Sequence, residues 1–122
     1  MKLTNAQIYS YATALTDAFQ DTTQKLPIKV NFYLQKNKTT LLGLAQDIEA
    51  SRGDIIRQYG EPTEDGTQYV ISKDKIGEAQ KELNDLLSLE QEVNIYTVSM
   101  DSLSDDITLT TGQMEAMMFM ID

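Results

Sequence analysis

The chain has 122 residues, with 19 acidic and 10 basic side chains, a formal net charge of −9 and an isoelectric point near 4.3. With no cysteine it has neither disulfides nor thiolate metal ligands, and with no histidine it lacks the commonest acid–base catalyst and metal-binding side chain. The length suits a single domain over 1–122. The strongly acidic balance argues against direct nucleic-acid binding, which rests on cationic neutralisation of phosphates.

The first segment is expected to be a helix over residues 4–22. Thr4 and Gln7 fit a capping box, in which each side chain satisfies an orphan backbone N–H. Ile8, Ala12, Leu15 and Phe19 then recur on one stripe, and Asp21, Thr22 and Thr23 weaken the helix. Pro27 suits the start of a second helix, running from about residue 28 to Tyr59. Leu34, Leu41, Ile48 and Ile55 are spaced by sevens, with Val30 and Leu44 between them, as in a coiled-coil seam. Asn37 and Ser51 interrupt that seam. Gly43 and Gly53 each cost about 1 kcal/mol inside a helix and mark either close packing or a break. Gly60 and Pro62 stop it.

Residues 60–66 read as a loop, and 67–72 (TQYVIS) as a short strand. A third helix is expected at about 74–89, with Ile76, Ala79, Leu83 and Leu86 facing the seam of the second. Residues 92–100 (EVNIYTVSM) form the best strand by composition and are expected to pair with 67–72. Thr110 and Gln113 repeat the capping box ahead of a last short helix. The fold class is thus α+β and mainly helical. It combines an antiparallel helix pair, an N-terminal helix, a small two-stranded antiparallel sheet and a short C-terminal helix. No run is long and apolar enough to span a membrane, and no apolar leader follows Met1, so neither membrane nor secretory targeting is expected.

Charge is divided along the chain. Residues 1–60 hold seven Lys/Arg and five Asp/Glu; residues 61–122 hold three and fourteen, and none of the basic residues follows Lys81. One-signed fields steer partners. Glu82, Asp85, Glu90, Glu92, Asp101, Asp105 and Asp106 are candidates for docking a basic surface, with a solubilising role as the plainer alternative. Lys25, Lys29, Lys36 and Lys38 form a small basic patch. It either solvates a helix face or meets the acidic half of another copy, giving a homo-oligomer. The Met-rich end of the chain, QMEAMMFMID, suits the closing helix of an ordinary core, but it has more apolar residues than one face can bury, so Phe119 and Met120 are candidates for a partner contact. Asp101, Asp105 and Asp106 do not follow the ligand pattern of a calcium loop. No phosphate loop or nucleophile elbow is present, so neither catalysis nor a cofactor or metal is expected.

The order of segments resembles a family of small uncharacterised proteins from phages and prophages of Gram-positive bacteria. The resemblance is carried by LP-K-N-YLQKN at 26–37, IEASR-DIIRQYGE at 48–61 and KELNDLL-LEQEV at 81–93. It implies a viral product acting in the bacterial host cytoplasm or in virion assembly. The expected function is therefore a non-enzymatic protein that binds a host protein with a basic surface. Its most concrete form is an anti-CRISPR-like inhibitor of an antiviral defence system. The alternative is a structural or assembly factor of the virion, such as a tail-module component.

Overall fold

Thr4 opens the first helix from both sides. Its hydroxyl accepts from the Gln7 N–H at 3.1 Å while its own N–H donates to Gln7 Oε1 at 2.9 Å. In the computed structural model, which describes residues 1–20, 26–103 and 107–122, this helix is α1, Asn5–Ala18. Ile8, Ala12 and Leu15 lie buried along it. The three residues ahead of it form a strand not expected from the sequence, β1 (Lys2–Thr4). Asp21, Thr22, Thr23 and Lys25 lie outside the described residues.

α2 spans Ile28–Tyr59, 32 residues, as Pro27 and Gly60 foretold. At 1.5 Å per residue it is about 48 Å long. It runs unbroken through Gly43 and Gly53. Val30, Leu34, Leu41, Ala45 and Ile48 are buried, so the seam forms, but burial ends at Ile48. The remaining turns, ~17 Å of helix, project past the core with Ile55 only half-buried.

Gly60 begins β2 (Gly60–Pro62), which pairs antiparallel with β3 (Tyr69–Ile71) through Gly60↔Ile71, Glu61↔Val70 and Pro62↔Tyr69. The segment expected as a plain loop is therefore the first half of a hairpin. A Cβ at Gly60 would lie 2.7 Å from the Ile56 carbonyl oxygen and 3.2 Å from the Tyr69 Cβ, so only glycine leaves room for helix and hairpin to meet. Gly66 supplies the positive φ of the turn, 72°.

α3 (Lys73–Ser88) returns antiparallel along α2. Its packed face is shorter than expected: Ala79 is buried and Leu83, Leu86 and Leu87 are half-buried, but Ile76 is 55% exposed because it lies beside the projecting end of α2. β4 (Glu90–Glu92) then pairs antiparallel with β1, through Lys2↔Glu92 and Thr4↔Glu90. The fold is α+β and mainly helical, completed by α4 (Thr111–Met117), whose Thr110–Gln113 capping box forms as expected, and by a closing 3₁₀ turn, Met118–Met120.

The expected pairing of 92–100 with 67–72 does not occur, and the reason is Asn37. Asn37 is fully buried within the seam. Its Nδ2 donates to the Tyr96 carbonyl at 2.8 Å and its Oδ1 accepts from the Tyr96 N–H at 2.9 Å. One side chain thus takes the place of a neighbouring strand at Tyr96. On either side, the Val93 N–H donates to the Met1 carbonyl and the Val98 N–H to that of Met120, both at 2.8 Å. The segment is extended but has three different partners, so it forms no regular ladder. We expect Asn37→Ala to cost about 1–3 kcal/mol by leaving both Tyr96 groups unpaired. Asn37→Leu, although apolar, should not restore that loss. Urea unfolding of the three proteins measures both effects.

Candidate functional site

Two surfaces stand out because they combine an excess of one sign of charge with exposed apolar side chains. They lie towards opposite ends of α2.

The first is the projecting end. On α3, Asp74, Glu78, Glu82 and Asp85 recur at i, i+4, i+8 and i+11 and share the face opposite Ala79 and Leu83, while the same helix carries three exposed lysines, Lys73, Lys75 and Lys81. The β2–β3 hairpin adds Glu61, Glu64 and Asp65, all exposed. Val70 is 61% exposed, and Tyr69 and Ile76 are also open to solvent. A shallow cleft of about 260 Å³, lined by Tyr59, Glu61, Pro62, Val70, Ser72 and Lys75, opens between helix and hairpin.

Hydrogen bonds set the chemistry of this end. The Tyr59 hydroxyl donates to Glu82 Oε1 at 3.0 Å, tying α2 to α3 and holding the phenol proton on above its ordinary range. Asp65 accepts from the Thr63 hydroxyl, and from the N–H and hydroxyl of Thr67 at 3.2 and 2.9 Å. These donors favour the carboxylate, Thr63 most, and hold Asp65 below the usual carboxylate range.

The second surface is the outer face at the start of α2. Ile28 is 89% and Phe32 53% exposed, on the side facing away from Val30, Leu34 and Asn37. The Lys36 ammonium sits 5.4 Å from the centre of the Phe32 ring, and that of Lys29 sits 5.6 Å from the Tyr33 ring, which packs against Tyr96 at 5.1 Å.

The residues expected to bind a partner are not brought together. Glu90 and Glu92 are exposed on β4, but each has a cation beside it: Lys2 Nζ at 3.9 Å from Glu90, and the Met1 ammonium at 3.1 Å from Glu92. Asp101 is exposed in a separate 3₁₀ turn, Met100–Ser102. Asp105 and Asp106 lie outside the described residues. Met120 is corrected outright: it is fully buried, with Asn37 Nδ2 at 3.5 Å from its sulfur. Phe119 is half-buried, stacked on Tyr11 with ring centres 4.5 Å apart and planes 7° from parallel. The apolar side chain that the last turn leaves outside is Met118, 60% exposed. A 3₁₀ turn, not a continued α-helix, sets that order, and the sequence carried no signal for it.

The carboxylates of α3 were legible in sequence as part of a charge bias. What was not legible was their concentration, with the hairpin, at a projecting end. The apolar side chains there were assigned to a strand and to a packed face, and they become exposed because α2 outruns its core.

Among the described residues, no group of three or more Asp or Glu is arranged to hold a metal ion. No helix among them is long and apolar enough to cross a membrane. Compared with protein-family models, curated proteins and solved structures, the chain matches none.

Two measurements check this geometry. Met120→Ala should cost about 2–5 kcal/mol as a core truncation, whereas Met118→Ser should stay within about 0.5 kcal/mol, both read from chemical denaturation. The second concerns pH. Because folding lowers the Asp65 pKa, its contribution is complete above the unfolded carboxylate value and is lost as pH falls through the lower, folded value. Amide protection factors in the hairpin, which correct for the slower intrinsic exchange in acid, should therefore fall on acidification in the wild type. Asp65→Asn should remove that component.

Proposed function

We propose that this chain is a non-enzymatic binding protein and that its contact surface is the acidic, partly apolar end built by α3 and the β2–β3 hairpin. The observation that carries this is the coincidence, at one projecting end, of the carboxylate face of α3 with exposed Tyr69, Val70 and Ile76. Charge of one sign speeds and orients encounter, and the apolar side chains supply the contact area that charge alone lacks. Glu90 and Glu92 are poorer candidates, since the Met1 ammonium and Lys2 already sit beside them.

The fitting partner is a protein with a basic surface. In the setting implied by the phage resemblance, this is a host protein, most concretely a nuclease of an antiviral system whose cationic groove the acidic end would occupy. The test is affinity capture from a bacterial host lysate with mass spectrometry, followed by kinetics on the captured protein. Association should slow as salt rises, because screening shortens to about 8 Å at physiological ionic strength. The combination Asp74→Asn, Glu78→Gln and Asp85→Asn should slow it further with little change in fold or dissociation rate. Capture that persists unchanged at high salt and in the triple variant would sink the proposal.

A further inference from the structure

The cationic face at the start of α2 is not used by the function proposed above. From Thr22 to Gln46 there is not one carboxylate, but there are four lysines. In a chain of net charge −9 this is a concentrated exception. Two of these lysines, Lys29 and Lys36, share a face with exposed Ile28 and Phe32, pointing away from the core. A helix position directly opposite the buried seam is ordinarily polar, and Phe there leaves a large apolar ring in water beside the lysines.

We propose that this face binds the acidic end of a second copy of the chain. The two surfaces match in both respects. Ile28 and Phe32 with Lys29 and Lys36 on one side meet Val70 and Ile76 with Asp74 and Glu78 on the other. They are unlike patches, roughly 40 Å apart along α2. The contact is therefore head to tail, closing into a dimer when two copies run antiparallel and continuing into a chain when they do not. A nucleic acid fits less well. Of the rings that would stack on bases, Tyr33 is already packed on Tyr96 with Lys29 over it. A phosphate backbone also offers nothing apolar to Ile28.

The inference shares its acidic surface with the function proposed above, but its basic surface is independent, and this separates the tests. The purified chain is sedimented over a range of concentrations at low and at high salt. Mass should rise with concentration at low salt and fall towards the monomer at high salt. Lys29→Glu with Lys36→Glu, and separately Asp74→Lys with Glu78→Lys, should each weaken association by about tenfold or more. All four positions are exposed, so the helices should persist in both double variants, which circular dichroism checks. An equimolar mixture of the two double variants should recover association, since the reversed faces again complement each other. A wild type that stays monomeric throughout overturns the inference, as does a mixture no stronger than either variant alone. Binding of a single-stranded oligonucleotide that is lost in Lys29→Glu with Lys36→Glu, without any self-association, overturns it in favour of nucleic acid. Host capture retained by the lysine variant while self-association is absent leaves the host-binding proposal standing and removes only this one.

Discussion

The closure of the molecule depends on the buried amide of Asn37. A buried amide without partners costs several kcal/mol, and this one finds them on the backbone of Tyr96. That pairing draws the chain after β4 across the seam of α2 and buries Val93 and Val98. Val98 in turn holds the C-terminal segment, accepting from the Asp122 N–H at 2.8 Å while its own N–H reaches Met120. Met120 completes the circuit by placing its sulfur back against Asn37. Helix seam, crossing segment and C-terminal turn are thus three walls around one polar side chain. Two other buried amides do similar work at the edges: Asn5 Nδ2 donates to the Leu86 carbonyl at 2.8 Å, and Gln113 Nε2 to that of Ala18 at 2.9 Å.

The charge division along the sequence takes a different form in space. Part of the acidic half is neutralised locally, at β4 by the amino terminus and Lys2, and the arginines near the end of α2 pair with Glu49 and Asp54. Along α3 and the hairpin at one end seven carboxylates stand against three lysines, whereas the start of α2 at the other end holds lysines and no carboxylate. The molecule is therefore polar along its long axis, a stronger orienting device than a net charge spread evenly over the surface.

The helices were legible because their signals are local. Both capping boxes join side chain and backbone within four residues, and Pro27 and Gly60 bound α2 without help from the rest of the chain. Of the strands, β3 (Tyr69–Ile71) was legible within the expected 67–72, but β1, β2 and β4 were not, because three residues each are too few for alternation to register. Residues 92–100 misled for a related reason. Their β-branched and aromatic composition does report an extended backbone, but composition does not say what the backbone will bond to. Here the partner is a side chain on a distant helix, and Asn37 in the sequence looks like a flaw in a seam. Met120 was misplaced because the turn that buries it is tighter than the α-helix that its spacing suggests. The candidate surface was legible as a bias in charge and illegible as a shape, since it depends on where burial along α2 stops.

At Gly60 the last turn of α2 and the first residue of the hairpin are in near contact, and the Gly60 N–H still donates to the Ile56 carbonyl as the helix cap. There is no linker between them to act as a joint. The acidic end therefore cannot swivel on the body of the molecule; redirecting it means unwinding helix. Torque applied at the tip travels along a single rod into the seam around Asn37. Anything that docks on this end would meet a stiff key, with its orientation fixed before contact.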